Sequence, residues 1–353
     1  MPGLVSHRTA WSFAVIVMVG SLVASCGDDG DEGAASTSTT SGTPSGSVVV
    51  ERDIAYATAP GEGWRPAVLD VYAPADAEDL PLVVLIHGGP GLANKDVLDY
   101  PELARAIAGG GAVVVVPNWG GDELPHERLA AGLTAAQVID ESQGPDEVAC
   151  AVSYAVTHAD EYGADPTGLV LFGHSGGANM AGRVAWTETP VFAGCAVPPA
   201  EWTVQGLMLW DGDWFLGPPP NDVFGTDLPA LLAVVSPWPA LATATDVPPV
   251  EAEFAVSTTS RGTLRRPDAS STAEWLAWRD PTGRMQDELE AVDAFADGFL
   301  DAGEPSEVMV NVLNARGADA TLLELTDPAT THDSLAEADF DLMVEHVLAL
   351  AGT

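Results

Sequence analysis

Lysine is almost missing from this chain. One occurs in 353 residues, Lys95, and arginine brings the basic total only to 13, against 52 acidic residues and a formal net charge of −39. So few cations cannot neutralise a run of phosphates, which argues against nucleic acid as a partner. The negative field also disfavours anionic membrane surfaces and anionic substrates. No G-x-x-x-x-G-K-[ST] run surrounds the one lysine, and no H-E-x-x-H or similar ligand spacing occurs, so the motifs call for neither metal nor organic cofactor. Cysteine is scarce, with Cys26, Cys150 and Cys195 the only three. The N-terminal apolar run, Ala10 to Ala24, is about 15 residues, short of the roughly 20 that span a bilayer.

That run has the pattern of an export signal. His7 and Arg8 precede it, and small residues lead into a cysteine in "LVASC". The stretch resembles a bacterial lipobox, in which the cysteine is lipidated and becomes the mature N-terminus; an ordinary signal peptide or an uncleaved anchor is the alternative. The expectation is a signal over 1–25 and a flexible Gly/Ser/Thr/Asp-rich tether over 26–47. The protein would then be exported and held on the outer face of the cytoplasmic membrane, touching the bilayer through Cys26 alone. In an oxidising setting the remaining pair, Cys150 and Cys195, is free to form a disulfide.

From residue 48 onward the chain reads as one α/β domain. "SVVVERDIAYAT" and "RPAVLDVYAP" alternate apolar and polar residues, as antiparallel edge strands do. "LPLVVLIHGG" and "AVVVVPNW" are short apolar runs of the kind buried in a sheet, and "GLVLFG", "GLMLW" and "ATLLEL" read as further strands. Helical patterns fall between them, in "YPELARAIAGGG", "PDEVACAVSYAVTHADEYGADP" and "GANMAGRVAW", and the chain closes on an amphipathic helix with Phe340, Val344, Val347 and Ala351 on one face. This alternation predicts a mostly parallel sheet with helices on both faces. Residues 214–296 break the rhythm, being rich in proline and tryptophan, and are expected to form a cap-like excursion in which "VEAEFAVST" holds one strand.

Two glycine-rich segments carry chemistry. Ser175 in "GHSGG" sits between an expected strand and an expected helix. With 36 glycines, a chain of this length meets G-x-S-x-G by chance in about one case in five, so the strand–turn–helix context is what gives the motif weight. There Ser175 would be a nucleophile on a strained turn, with the Gly176 N–H aimed at a developing oxyanion. "HGGPG" directly follows another buried strand, where Gly88 or Gly89 could supply the second oxyanion donor and His87 would order the loop.

At these residues the chain resembles the α/β-hydrolase superfamily, in particular its carboxylesterase and lipase branch. The resembling pieces, "VLDVYAP", "VVLIHGG", "GAVVVVPNW", "EYGADPTGLVLFGHSGGA" and "THDSL", follow the family order over nearly all of 48–353. "HGGPG" also occurs in the proline iminopeptidase branch. The resemblance implies a Ser–His–acid triad in that chain order. It puts the base at His332, between the last strand and the last helix. For the acid it favours Asp297, which Leu300 and a helix near Ser306 follow; Asp301 comes next, and Asp268 or Asp211 fit other alignments. No clear strand precedes Asp297, because "LEAVDAFA" reads equally well as helix. The expected activity is hydrolysis of a small-molecule or polysaccharide-linked carboxylic ester through an acyl-enzyme. A peptidase or amidase of the same fold, or an inactive binding protein at the cell surface, stands as the alternative. Neither substrate nor oligomeric state is legible.

Overall fold

The computed structural model describes residues 47–58, 66–89, 94–120, 144–187, 189–212, 247–257, 264–265, 299–300 and 303–353. The chain divides into two units, Met1–Gly42 and Thr43–Thr353. The first, with the expected signal, Cys26 and most of the tether, lies outside the described residues, as does most of the expected excursion.

The elements of the second unit follow the sequence pattern closely. They are β1 (Val48–Ala55), β2 (Val68–Pro74), β3 (Leu80–Ile86), α1 (Tyr100–Gly109), β4 (Val113–Pro117) and α2 (Gly144–Thr157). Next come a one-turn helix (Ala159–Tyr162), β5 (Ala164–His174), α3 (Gly176–Trp186), β6 (Val204–Trp210) and β7 (Glu251–Ser257). Short strands β8 (Leu264–Arg265) and β9 (Phe299–Leu300) pair with each other. The chain then runs through α4 (Gly303–Asn314), β10 (Asp319–Leu325) and α5 (Glu337–Leu350).

Eight strands form one sheet in the order β1-β2-β4-β3-β5-β6-β7-β10. β1 and β2 pair antiparallel, as does β2 with β4; every pairing from β4 through β10 is parallel. The strand foreseen in "VEAEFAVST" is β7.

The apolar runs split by parity between two cores, because successive side chains of a strand face opposite sides. Leu82, Val84 and Ile86 of β3 join Leu169 and Leu171 of β5 against α2, α3 and α4, where Val148, Ala181 and Met309 meet them. Val83, Leu85, Val170 and Phe172 face the other way, against Leu103 and Ile107 of α1 and Met343 and Val347 of α5. Each such fully buried Val or Leu is worth about 1.5–3 kcal/mol, so both faces of the central strands are committed to core. On α5 the innermost residues are Met343, Val347 and Leu350, while Phe340 and Val344 of the expected face are only partly buried.

The Cys150–Cys195 disulfide is present; it ties α2 to the segment between α3 and β6, with a Cα–Cα distance of 5.6 Å. Closing a loop across a sequence separation of 45 restricts the unfolded chain. On the chain-entropy account this contributes about 4 kcal/mol. Reduction, or replacement of both cysteines by alanine, is therefore expected to remove about 2–4 kcal/mol in urea unfolding; unchanged midpoints would show the bridge to be energetically idle.

Candidate active site

Parallel strands deliver their C-terminal ends to one rim, and Ser175 and His332, singled out in the sequence, meet there. β5 ends at His174, and Ser175 makes the turn into α3 with φ 51° and ψ −120°, a region that costs a non-glycine residue about 1–3 kcal/mol. The turn is tight because α3 starts against the end of β3: a Cβ on Gly177 would run into the carbonyl groups of Ile86 and His87. Ser175 is thereby lifted above the sheet, and Gly176 opens the helix whose N-terminal N–H groups face the same side.

His332 reaches this serine from 157 residues away, with Nε2 3.0 Å from Ser175 Oγ. Its loop is pinned on both sides. Thr331 and Ser334 close a tight turn around it, with the Thr331 N–H donating to the Ser334 carbonyl at 2.7 Å. Thr330 Oγ1 donates to Asp339 of α5 at 2.6 Å, and the Leu335 N–H donates to Asp99 Oδ2 at 2.8 Å. Asp99 precedes α1 without capping it, so its carboxylate is available for this loop.

Among the described residues, the carboxylate that lies on the far side of His332 is that of Asp211. Its Oδ2 lies 3.5 Å from His332 Nδ1. That is longer than a made hydrogen bond. Asp211 also turns out of its strand with positive φ, 46°. It is held from behind by Ser257 at the end of β7, whose N–H donates to Oδ1 at 2.9 Å and whose hydroxyl donates to Oδ2 at 2.6 Å. Asp297 and Asp301, favoured from the sequence, lie outside the described residues. Asp211 is one of the alternatives that the sequence offers. The signal that could have raised it is its position: it directly follows the buried run "GLMLW", on the strand bonded beside β5.

The glycine loop after β3 is set by two peptide planes. In the plane joining His87 to Gly88, the carbonyl accepts from Trp119 Nε1 at 2.9 Å and the Gly88 N–H donates to Tyr100 Oη at 2.8 Å. Both ends are spent, so Gly88 is not the donor that the sequence offered. In the next plane the Gly88 carbonyl accepts from His87 Nδ1 at 2.9 Å. A trans peptide points its N–H opposite to its carbonyl, so the Gly89 N–H faces away from His87. No group among the described residues takes it. A Cβ on Gly176 would come within 3.3 Å of that nitrogen, and one on Gly88 within 3.1 Å of Ser175 Cβ, so the loop lies directly over the elbow. Its downstream end is tied to the sheet edge by buried Lys95, whose Nζ lies 2.8 Å from Asp70 and 2.9 Å from Asp53. Burial alone would lower the Lys95 pKa, but bonds to Asp70, Asp53 and Asp96 outweigh it and raise it.

Two further side chains that the sequence did not suggest complete the floor. Tyr100, on α1, donates its hydroxyl to His174 Nδ1 at 2.6 Å. His174 stacks on Trp210 at a centroid distance of 4.0 Å and meets His332 at a tilt, at 4.8 Å. Burial first, and the neighbouring His332 second, push the His174 pKa down to about 3. A second positive charge is thus kept away from the place where His332 would take up a proton.

The BD-FAE family model matches residues 69–193, about a third of the chain, taking in the glycine loop and Ser175 but neither Asp211 nor His332. No curated protein matches the chain. Among solved structures, a truncated form of a carbohydrate esterase from gut microbiota superposes with a TM-score of 0.54 at 14% identity, over 86% of this chain and 97% of that one. An inhibited esterase B from Lactobacillus rhamnosis gives 0.52 at 13%, over 86% and 87%. A hyperthermophilic esterase from the archaeon Pyrobaculum calidifontis gives 0.50 at 18%, over 86% and 85%. At such identities the shared property is the fold, and the fold is that of the α/β-hydrolases.

His174 makes stability depend on pH. The unfolded chain protonates it near the ordinary value of 6.5, whereas the folded chain does not until about 3. Stability contributed by the neutral, buried ring is therefore intact above 6.5 and declines as pH falls below it. Between pH 7 and pH 5 wild type should lose about 2 kcal/mol more than His174→Asn in urea unfolding; equal losses would contradict a buried neutral imidazole.

Proposed function

We propose that the protein is a serine hydrolase of carboxylic esters, with Ser175 as nucleophile, His332 as general base and acid, and Asp211 as the orienting carboxylate. The observation that carries the reading is the 3.0 Å approach of His332 Nε2 to the hydroxyl of a serine held in a strained elbow. Ser175 Oγ attacks the ester carbonyl carbon as its proton passes to His332 Nε2. Asp211 stabilises the imidazolium through Nδ1. The carbonyl oxygen takes the negative charge, and the N–H groups of Gly89 and Gly176 receive it, each donor worth about 10²–10³ in kcat. His332 then protonates the departing alcohol oxygen, leaving an acyl group on Ser175. Water, deprotonated by the same imidazole, releases the acid.

The net charge of −39 disfavours anionic substrates. Small acyl esters, free or attached to a polysaccharide, suit the site, in keeping with the esterase and carbohydrate esterase descriptions of structures that share the fold. The "LVASC" segment further supports an exported enzyme anchored through lipidated Cys26.

A fluorophosphonate probe should label the intact protein and not Ser175→Ala. Asp211→Asn should lower kcat on p-nitrophenyl acetate by about 10³–10⁴, and Asp297→Asn should leave it unchanged. The reverse ranking would move the acid to Asp297; no labelling of wild type would refute the hydrolase.

A further inference from the structure

Tyr100 touches both the glycine loop and the residue preceding the nucleophile. Its oxygen accepts from the Gly88 N–H, which can only donate, and lies 2.6 Å from His174 Nδ1. Its single proton therefore goes to Nδ1, and His174 must be the neutral tautomer protonated at Nε2. Burial raises the Tyr100 pKa, which keeps that proton in place. The phenol also sits at the start of α1, next to Asp99, which holds the loop of His332 through the Leu335 N–H. One helix N-terminus thus ties the glycine loop, the nucleophile strand and the histidine loop together.

We propose that Tyr100 is a positioning residue for ester hydrolysis: by engaging Gly88 N–H and His174 Nδ1 at once, it turns the glycine loop so that Gly89 presents the oxyanion donor above Ser175. This rests on the hydrolase reading. Without the phenol oxygen, the Gly88 N–H is left buried and unpartnered, and the peptide plane it belongs to is held only at its Trp119 end. The cheapest repair is to rotate that plane, which moves the Gly89 N–H off the oxyanion position. Donor misplacement acts on the transition state rather than on ground-state binding.

The test is Tyr100→Phe, assayed on p-nitrophenyl acetate beside wild type. The expected result is a kcat lower by about tenfold to a hundredfold with KM unchanged, and fluorophosphonate labelling slowed by a similar factor. A kcat and labelling rate within twofold of wild type would overturn the proposal, as would a raised KM at full kcat, which would make Tyr100 a substrate contact. Wild type inert to both ester and probe would sink the hydrolase reading itself; an active wild type with an equally active variant sinks only the role of Tyr100. Nitrogen NMR of wild-type protein tests the geometry whether or not the variant folds. His174 should be protonated at Nε2 with Nδ1 accepting, and protonation at Nδ1 would overturn the assignment.

Discussion

The site depends on the parallel ladder between β5 and β6. Its register sets His174 opposite Trp210, and the Ser175 N–H continues it by donating to the Trp210 carbonyl at 2.8 Å. The next rung belongs to Asp211, whose N–H donates to Ala255 of β7 at 2.8 Å. Ser175 and Asp211 therefore leave neighbouring strands at the same height. Each leaves with a positive φ, 51° and 46° respectively, so the backbone bends both side chains off the sheet toward the imidazole between them. Strain of about 1–3 kcal/mol at each residue is carried by the two cores that grip these strands on both faces.

Around this pair, three imidazoles among the described residues are held differently. His87 and His174 are both buried, and hydrogen bonds to the loop carbonyl and to Tyr100 occupy them. His332 is the ring with substantial exposure, 42% of its side chain, and it has the carboxylate partner. Asp211 is buried, and two bonds from Ser257 hold its oxygens, so its carboxylate is fixed 3.5 Å from His332 Nδ1.

Most of the scaffold was legible because its signals are local. Apolar runs of five to eight residues marked the buried strands, and the glycines around Ser175 and after β3 marked where backbone passes close to backbone. His332 could be found by its place between the last strand and the last helix. The place of Asp211 could not. In a chain with 52 acidic residues nothing local distinguishes it from a solvated neighbour; its position beside His332 follows from β6 lying against β5, a fact of topology. The choice between Gly88 and Gly89 was hidden for a related reason. It turns on which peptide N–H Tyr100 captures, and Tyr100 reads in sequence as an ordinary first residue of an amphipathic helix.

The most direct measurement is a crystal structure of the protein after reaction with an alkyl phosphonate ester. The account predicts phosphorus bonded to Ser175 Oγ, the phosphoryl oxygen about 2.7–3.1 Å from the nitrogens of Gly89 and Gly176, and His332 held between the adduct and Asp211. A phosphoryl oxygen bound by the Gly88 nitrogen, or His332 turned to a different carboxylate, would contradict it.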